Sequence, residues 1–305
     1  MSYKKSFEDF NRLVNESAAE RWKDSANMCT EWLLPTIENA PNKNKALIIG
    51  AGAANDFFLH KVVEKFDQVV LLDIDEHAVD IAISKLSEDL KKKVVKEIVD
   101  IAGIGSDVEE VNSFLKKDHS LEEKIRKVKG IRRSFSKSFK IKSQGEYSWV
   151  FSDCISTQML SPLFEEVMAV YDRNPQIEDT SLLKEYIDLN LALFTEYVKF
   201  LSKQLCKNGR LAFASDVITL NKVSIPRIEN ILNRNVNEIA SSPSIITGLT
   251  NKVPNYTIAG WNIVSILKGN PQINLTLLLT NNKSWLWNFN EEKQYFVIGK
   301  EFIKK

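Results

Sequence analysis

The chain has 305 residues, 44% of them hydrophobic and 27% charged, the make-up of a folded globular protein rather than a disordered one. Lysine and arginine number 41 against 40 acidic residues, so the net charge of +1 gives no overall field that recruits nucleic acid or a membrane surface. No apolar run approaches the length that spans a bilayer. The start, MSYKKSFEDF, carries lysines but no apolar signal core, which points to a cytoplasmic protein. Cys29, Cys154 and Cys206 are odd in number and widely spaced, and His60, His77 and His119 show no ligand spacing. The expectation is reduced thiols and no metal site.

Residues Phe7 to Ile37 have apolar positions at helical spacing, with Pro35 near the end. Trp22 and Trp32 in this segment read either as core packing against a sheet or as part of a helical layer over a cleft. Pro41 to Asn44 form a turn into the stretch from Lys45 to Asp75, KALIIGAGAANDFFLHKVVEKFDQVVLLDID. Its apolar start, Ala46 to Ile49, is that of a strand buried on both faces. Gly50-Ala51-Gly52 turns the backbone where side chains would obstruct a ligand. Phe57 to Phe66 predicts a helix with its N-terminus over that turn, and Gln68 to Leu72 a second strand ending in Asp73 and Asp75. Strand, glycine turn, helix, strand and acid make a nucleotide-binding βαβ unit, whose acid can accept hydrogen bonds from ribose hydroxyls.

The residues after the glycines narrow the ligand. A dinucleotide fingerprint needs a third glycine and a helix N-terminus for the pyrophosphate. Here Asn55 and Asp56 occupy those places, and a carboxylate beside a phosphate is penalised. A ligand bearing an amino group is welcomed by Asp56. On Gly50, Gly52, Asp56 and Asp73 the chain resembles the class I S-adenosylmethionine-dependent methyltransferases. The resemblance implies S-adenosylmethionine as cofactor, held by Gly50, Ala51, Gly52, Asn55, Asp56 and Asp73, with Ile74 packed under the adenine.

Glu76 to Leu90 reads as an amphipathic helix and Val94 to Val99 as a strand ending in Asp100-Ile101. By resemblance these two residues face the adenine; alternatively Asp100 caps the turn ahead of Gly103 and Gly105. Between Lys124 and Lys142 lie nine basic residues and no acid, either a solvated helix face or a patch for an anionic partner. Phe135 and Phe139, four apart, read as core anchors or, alternatively, as stacking groups, with core favoured. Tyr147 to Ser152 is the next strand, and Asp153 to Gln158 follow as the turn that resembles the family's fourth motif. That resemblance puts Ser152 and Asp153 near the cofactor and Cys154, Ser156 and Gln158 near the substrate. The turn lacks the proline clamp and stacking tyrosine of the N-P-P-Y type, which argues against a base-flipping enzyme. Asp153 is the first candidate for a general base, with Asp216 and Tyr147 behind it; equally, Asp153 caps the following helix.

Leu163 to Tyr171 and Leu182 to Leu205 predict helices, Lys207 to Arg210 a turn, and Leu211 to Ser215 a strand ending in Asp216. Ser242-Pro243 and Pro254-Asn255 mark loops. Ile273 to Thr280 and Tyr295 to Phe302 read as a terminal hairpin joined by a polar connection carrying Trp285 and Trp287, which either pack against the sheet edge or form one wall of an aromatic substrate pocket. The expected fold is α/β, a doubly wound, mostly parallel seven-stranded sheet with helices on both faces, an antiparallel C-terminal strand and an N-terminal helical cap. Residues 1–42 form the cap and 43–305 a Rossmann-like domain, with a basic insertion at about 106–144 and substrate-side elements at about 217–270, all as one compact unit. The function implied is methyl transfer to a small-molecule acceptor by in-line displacement, mainly through positioning. The alternatives are methylation of RNA or protein through residues 124–142, transfer of the aminopropyl or aminobutyrate arm of the same cofactor, and NAD-dependent oxidoreduction.

Overall fold

The computed structural model describes residues 2–15, 18–133, 139–143, 145–221 and 263–305. Seven strands form one sheet: β1 (Lys45–Ile49), β2 (Gln68–Asp73), β3 (Val94–Ile98), β4 (Tyr147–Asp153), β5 (Leu205–Asn221), β6 (Leu275–Trp287) and β7 (Lys293–Lys304). Their order is β3-β2-β1-β4-β5-β7-β6. β1 pairs in parallel with β2 and β4, β2 with β3, and β4 with β5, while β7 runs antiparallel to both β5 and β6. This is the mostly parallel sheet with an antiparallel last strand that the resemblance implied.

The apolar runs follow from burial on both sides. Leu47 and Ile49 of β1, Val70 and Leu72 of β2, and Leu211 and Phe213 of β5 point into one core. Ala46, Ile48, Val69, Leu71, Ala212 and Ala214 point into the other. The first core is closed by α7 (Gly105–Leu115), α8 (Leu121–Gly130), α10 (Ser161–Arg173) and α11 (Ser181–Gln204). The second is closed by α2 (Ala18–Arg21), α3 (Lys23–Glu38), α4 (Leu59–Val63) and α5 (Glu76–Ser84). A strand that is covered twice cannot alternate polar and apolar residues, so these strands read as continuous hydrophobic stretches.

Several boundaries differ from expectation for local reasons. The helix expected over Phe57 to Phe66 is only α4, because Gly50, Gly52 and Ala54 all have positive φ and keep the chain in a loop as far as Phe58. The helix expected from Glu76 to Leu90 breaks at Lys85, and Ser87 precedes a separate short turn, α6 (Glu88–Lys91). Lys207 to Arg210 lie within β5, where the pairing register slips between Tyr147 and Trp149 and Asn208 takes φ +62°. Trp285 and Trp287 belong to β6 rather than to a connection; they pair with Val297 and Tyr295 and share a buried face. Phe139 packs on Tyr197 and Phe200, whereas Phe135, Ser242-Pro243, Pro254-Asn255 and much of the expected 217–270 segment lie outside the described residues. The remaining elements are α1 (Tyr3–Asn15), α9 (Ile155–Gln158) and α12 (Ile263–Gly269).

The two tryptophans of α3 and β4 find partners for their N–H groups, as buried indoles must. Trp149 Nε1 donates to Thr36 Oγ1 at 2.8 Å, and Trp32 Nε1 donates to Asn281 O at 2.9 Å. The Trp32 ring lies flat against Gly299 of β7, where a Cβ would come within 2.6 Å of Cε2. The indole is fully buried and held by its hydrogen bond, so it has nowhere to retreat. Gly299→Ala is therefore expected to cost about 1–3 kcal/mol through overpacking, read from the urea midpoint. A change below about 0.5 kcal/mol, the scale of a neutral surface substitution, contradicts this packing.

Candidate functional site

The carboxyl ends of β1, β2, β3, β4 and β5, with the facing ends of β6 and β7, open onto one cavity of ≈ 780 Å³. Ligands of open α/β sheets bind in a crevice on this same edge, beyond the carboxyl ends of the strands. Gly50 sits at its floor with φ +78°, and a Cβ there would meet the Asp153 carbonyl oxygen at 2.8 Å. The ends of β1 and β4 therefore close on each other through a residue that has to be glycine. Gly52, at φ +45°, has no atom within 4 Å of where its Cβ would be. Its bare backbone faces the cavity.

Asp73 ends β2 and is buried. Its Oδ2 accepts from Gly52 N at 2.8 Å and its Oδ1 from Asp75 N at 2.9 Å, so the acid clamps the glycine loop to the next turn. Burial raises its pKa, opposed by those two N–H donors. Lys85 Nζ donates to Ala53 O at 2.7 Å and to Asn55 Oδ1 at 2.6 Å, tying the far side of the loop to α5. Asn55 thus braces the loop as well as lining the cavity.

Asp56 and Asp153 meet across the floor. Burial raises both, and Asp153 is raised further by Asp56, with which it shares a hydrogen bond. Two carboxyls in contact away from water hold one proton between them, since both cannot ionise. Apart from that shared proton, no donor reaches Asp153 Oδ2, a buried acceptor left open. Asp216 lies beyond them on β5, where Thr157 Oγ1 donates to its carboxylate. Its pKa is pushed up to about 7 by burial, against the hydrogen bond from Thr157. Burial first, and then neighbouring carboxylates including Asp153 and Asp56, raise the thiols of Cys154 and Cys29, so neither is a nucleophile.

Of the residues expected to hold the cofactor, Gly50, Ala51, Gly52, Asn55, Asp56, Asp73, Ile74, Asp100, Ile101 and Asp153 all line the cavity. Asp100 does so while its two oxygens accept from Gly103 N at 3.0 Å and Gly105 N at 2.9 Å, the turn-capping role. Ser152 is set back behind the wall, its hydroxyl bonded to Tyr197 at 2.8 Å, because its position in β4 points it into the first core. Among the expected substrate contacts, Cys154 and Gln158 line the cavity, whereas Ser156 is buried against Ser215 at 3.3 Å. Tyr147 begins β4, at the opposite end of the strand, and its hydroxyl donates to Ser143 O, which removes it as a base.

The N-terminal cap lies over the cavity, and Trp287 belongs to its far wall; the individual side chains of α1 that line it were not singled out from the sequence. Tyr3, Ser6, Phe7, Phe10 and Asn11 form one face of α1 laid over the cavity. Tyr3 Oη donates to Met159 O at 2.7 Å and Asn11 Nδ2 to Asp75 Oδ2 at 2.9 Å, so the helix is pinned on both sides of the opening. Trp22 packs edge-on against Trp287 at 4.7 Å and donates from Nε1 to Phe289 O, joining the N-terminal layer to the end of β6. Trp22 serves the cleft and Trp32 the core. The basic run stands apart. Lys127 pairs with Glu110 and Arg132 with Glu185, Lys124 is buried, and none of its described residues lines the cavity.

The buried acids fix the sign of a pH effect. In the unfolded chain Asp216 ionises near its ordinary value of 3.8, and in the folded chain near 7. Between the two, the folded state holds a proton that the unfolded state has lost, so stability falls as pH rises, by at most about 1.4 kcal/mol per unit. Asp56, Asp73 and Asp153 act in the same direction. Urea melts across this window are expected to show a smaller decline in Asp216→Asn than in the parent chain. An equal slope in the two proteins contradicts the assignment.

No family model matches the chain, and no curated protein matches it. Among solved structures the chain is similar to the O-methyltransferase TomG from Streptomyces achromogenes in complex with SAM, at 10% identity over 94% of this chain and 88% of that one, with TM-score 0.42. It is similar to the O-methyltransferase from Bacillus cereus in complex with SAH, at 10% identity over 99% and 90%, TM-score 0.41. The N-methyltransferase NodS from Bradyrhizobium japonicum is similar at 12% identity over 95% and 99%, TM-score 0.37. At scores this low, it is the strand order that identifies the fold.

Proposed function

We propose that the chain is an S-adenosylmethionine-dependent methyltransferase acting on a small-molecule acceptor. The observation that carries the reading is the chemistry of the cavity floor. A bare glycine turn is backed there by the half-buried Asp56 and the buried Asp73 and Asp153, the last with an oxygen left open beyond the proton it shares with Asp56. Such a floor suits a cationic nucleoside with ribose hydroxyls and an ammonium group. It suits a pyrophosphate poorly, because like charges would meet and because α4 begins only at Leu59, leaving no helix N-terminus at the glycine turn.

In this reading Gly50 and Gly52 admit the ligand to backbone contact, and Asp73 accepts from the ribose with the lone pairs that Gly52 and Asp75 leave unused. Ile74, Ile101 and Ala102 give the base an apolar slot, and Asp100 shapes that slot by holding the Gly103–Gly105 turn. Asp56 and Asp153 exchange their shared proton for the ligand's ammonium. When bound, S-adenosylmethionine supplies a methyl group already activated by its sulfonium. The protein's part is then to align the acceptor and keep water out, and alignment alone is worth on the order of 7 kcal/mol or more in favourable cases. The α1 lid, pinned through Tyr3 and Asn11, supports the second task.

Calorimetry separates this from the dinucleotide alternative. The purified chain is expected to bind S-adenosylhomocysteine and not NADH, and Asp73→Ala is expected to weaken S-adenosylhomocysteine at least roughly tenfold, the loss of charge-assisted hydrogen bonds. No binding of S-adenosylhomocysteine, or tight binding of NADH, removes the proposal.

A further inference from the structure

We propose that the half of the cavity over β5, β7 and β6 binds an organic amine, held as its ammonium between the Asp216 carboxylate and the aromatic faces of Tyr295 and Trp287. As the identity of the methyl acceptor this rests on the methyl-transfer reading; as a binding site it does not.

The pairing registers assemble the site. Trp287 of β6 stands opposite Tyr295 of β7, and Tyr295 stands opposite Thr219 of β5, so three side chains that line the cavity form a row across three strands. Asp216 precedes Thr219 on β5, just before the register shift at Ile218, and it too faces the cavity. It stands opposite Val297, two residues along the same face of β7 from Tyr295. Burial raises the Tyr295 phenol, and the Asp216 carboxylate raises it further. Tyr295 is flanked by Trp287 at 5.6 Å and Phe289 at 5.1 Å, and Trp22 closes the wall behind Trp287. A carboxylate set among electron-rich ring faces is how proteins hold alkylammonium groups: the rings attract the cation and the acid neutralises it.

The charge of the lining points the same way. Asp56, Asp73, Asp100, Asp153, Asp216 and Glu165 face the cavity, and among the described lining residues Lys293 is the basic one. Lys293 Nζ itself sits 5.8 Å from the Tyr295 ring centroid, on the exposed side, so a cation already approaches this ring. Two buried polar atoms of the lining are left open, Trp287 Nε1 and, apart from the proton shared with Asp56, Asp153 Oδ2; Trp287 is only 6% exposed. An anionic acceptor would meet carboxylates along the whole of this lining.

The mouth defines the remainder of the ligand. Four of the six large hydrophobic side chains exposed among the described residues, Phe10, Phe164, Ile187 and Leu191, rim this cavity. Apolar exposure concentrated in one place marks a binding surface, whereas scattered exposure does not. The amine therefore carries an apolar or aromatic body that lies against α1, α10 and α11.

The test uses three probes of one shape and different charge: phenethylamine, phenethyl alcohol and hydrocinnamate. Calorimetry on the full chain, with and without S-adenosylhomocysteine, is expected to show phenethylamine binding roughly tenfold or more tighter than the alcohol, with hydrocinnamate weakest. Asp216→Asn is expected to abolish the preference for the amine over the alcohol while leaving S-adenosylhomocysteine binding unchanged. Should that variant fail to fold, Tyr295→Leu is expected to lower the amine affinity more than the alcohol affinity. The proposal is overturned if phenethylamine does not bind at millimolar concentration, if hydrocinnamate or the alcohol binds as well, or if the preference survives in Asp216→Asn. S-adenosylhomocysteine binding without amine preference sinks the amine site alone, and amine preference without S-adenosylhomocysteine binding sinks the methyl-transfer reading alone.

Discussion

The contact on which the rest depends is the approach of Gly50 to the carbonyl oxygen of Asp153. A Cβ at residue 50 would come within 2.8 Å of that oxygen, so the ends of β1 and β4 meet with no side chain between them. Strand order makes these two the central neighbours of the sheet. Their junction sets the height of the cavity floor. On one side of it lie the glycine loop and Asp73, and on the other Cys154, Asp216 and the aromatic wall. The positive φ of Gly50, Gly52 and Ala54 then carries the loop away from the sheet, which is why no helix begins until Leu59.

Electrostatics decides what such a floor can hold. Asp73, Asp153 and Asp216 have been taken out of water and Asp56 partly so, and their pKa values rise for that reason before any other. Keeping carboxyls buried is costly unless they are paired. The protein offsets part of the cost with backbone N–H groups on Asp73, the Thr157 hydroxyl on Asp216 and a proton shared by Asp56 and Asp153. On the proposed reading, a bound cation offsets the remainder. Stability has been traded for a site, as is common where local rules of folding are broken.

Much of this was legible in the sequence, and the reasons are physical. Doubly buried strands announce themselves as apolar runs, so β1, β2 and β4 were plain, and Asp73 and Asp56 stood out because acids are rarely spent next to such runs. Asp100 was readable in two ways, and the structure shows that its oxygens cap the turn even though it lines the cavity. The fate of Ser152 and Ser156 was hidden, because whether a residue beside a turn faces the cleft depends on strand register and on the left-handed φ of Cys154. A helical cap was legible, but the residues by which it and the other helices line the cavity were hidden more deeply. Phe10, Ile187 and Leu191 sit at ordinary helical spacing, and only tertiary placement shows that their face meets a cavity rather than a core. Trp287 was misplaced for a related reason: polar neighbours suggested a connection, while cross-strand pairing with Tyr295 made it a strand.

The most direct measurement is the electron density of crystals grown with S-adenosylhomocysteine. The account predicts a nucleoside over the Gly50–Gly52 turn, with its ribose at Asp73 and its amino group at the Asp56–Asp153 pair. A bare turn in those crystals, or a ribose far from Asp73, would contradict the account at its base.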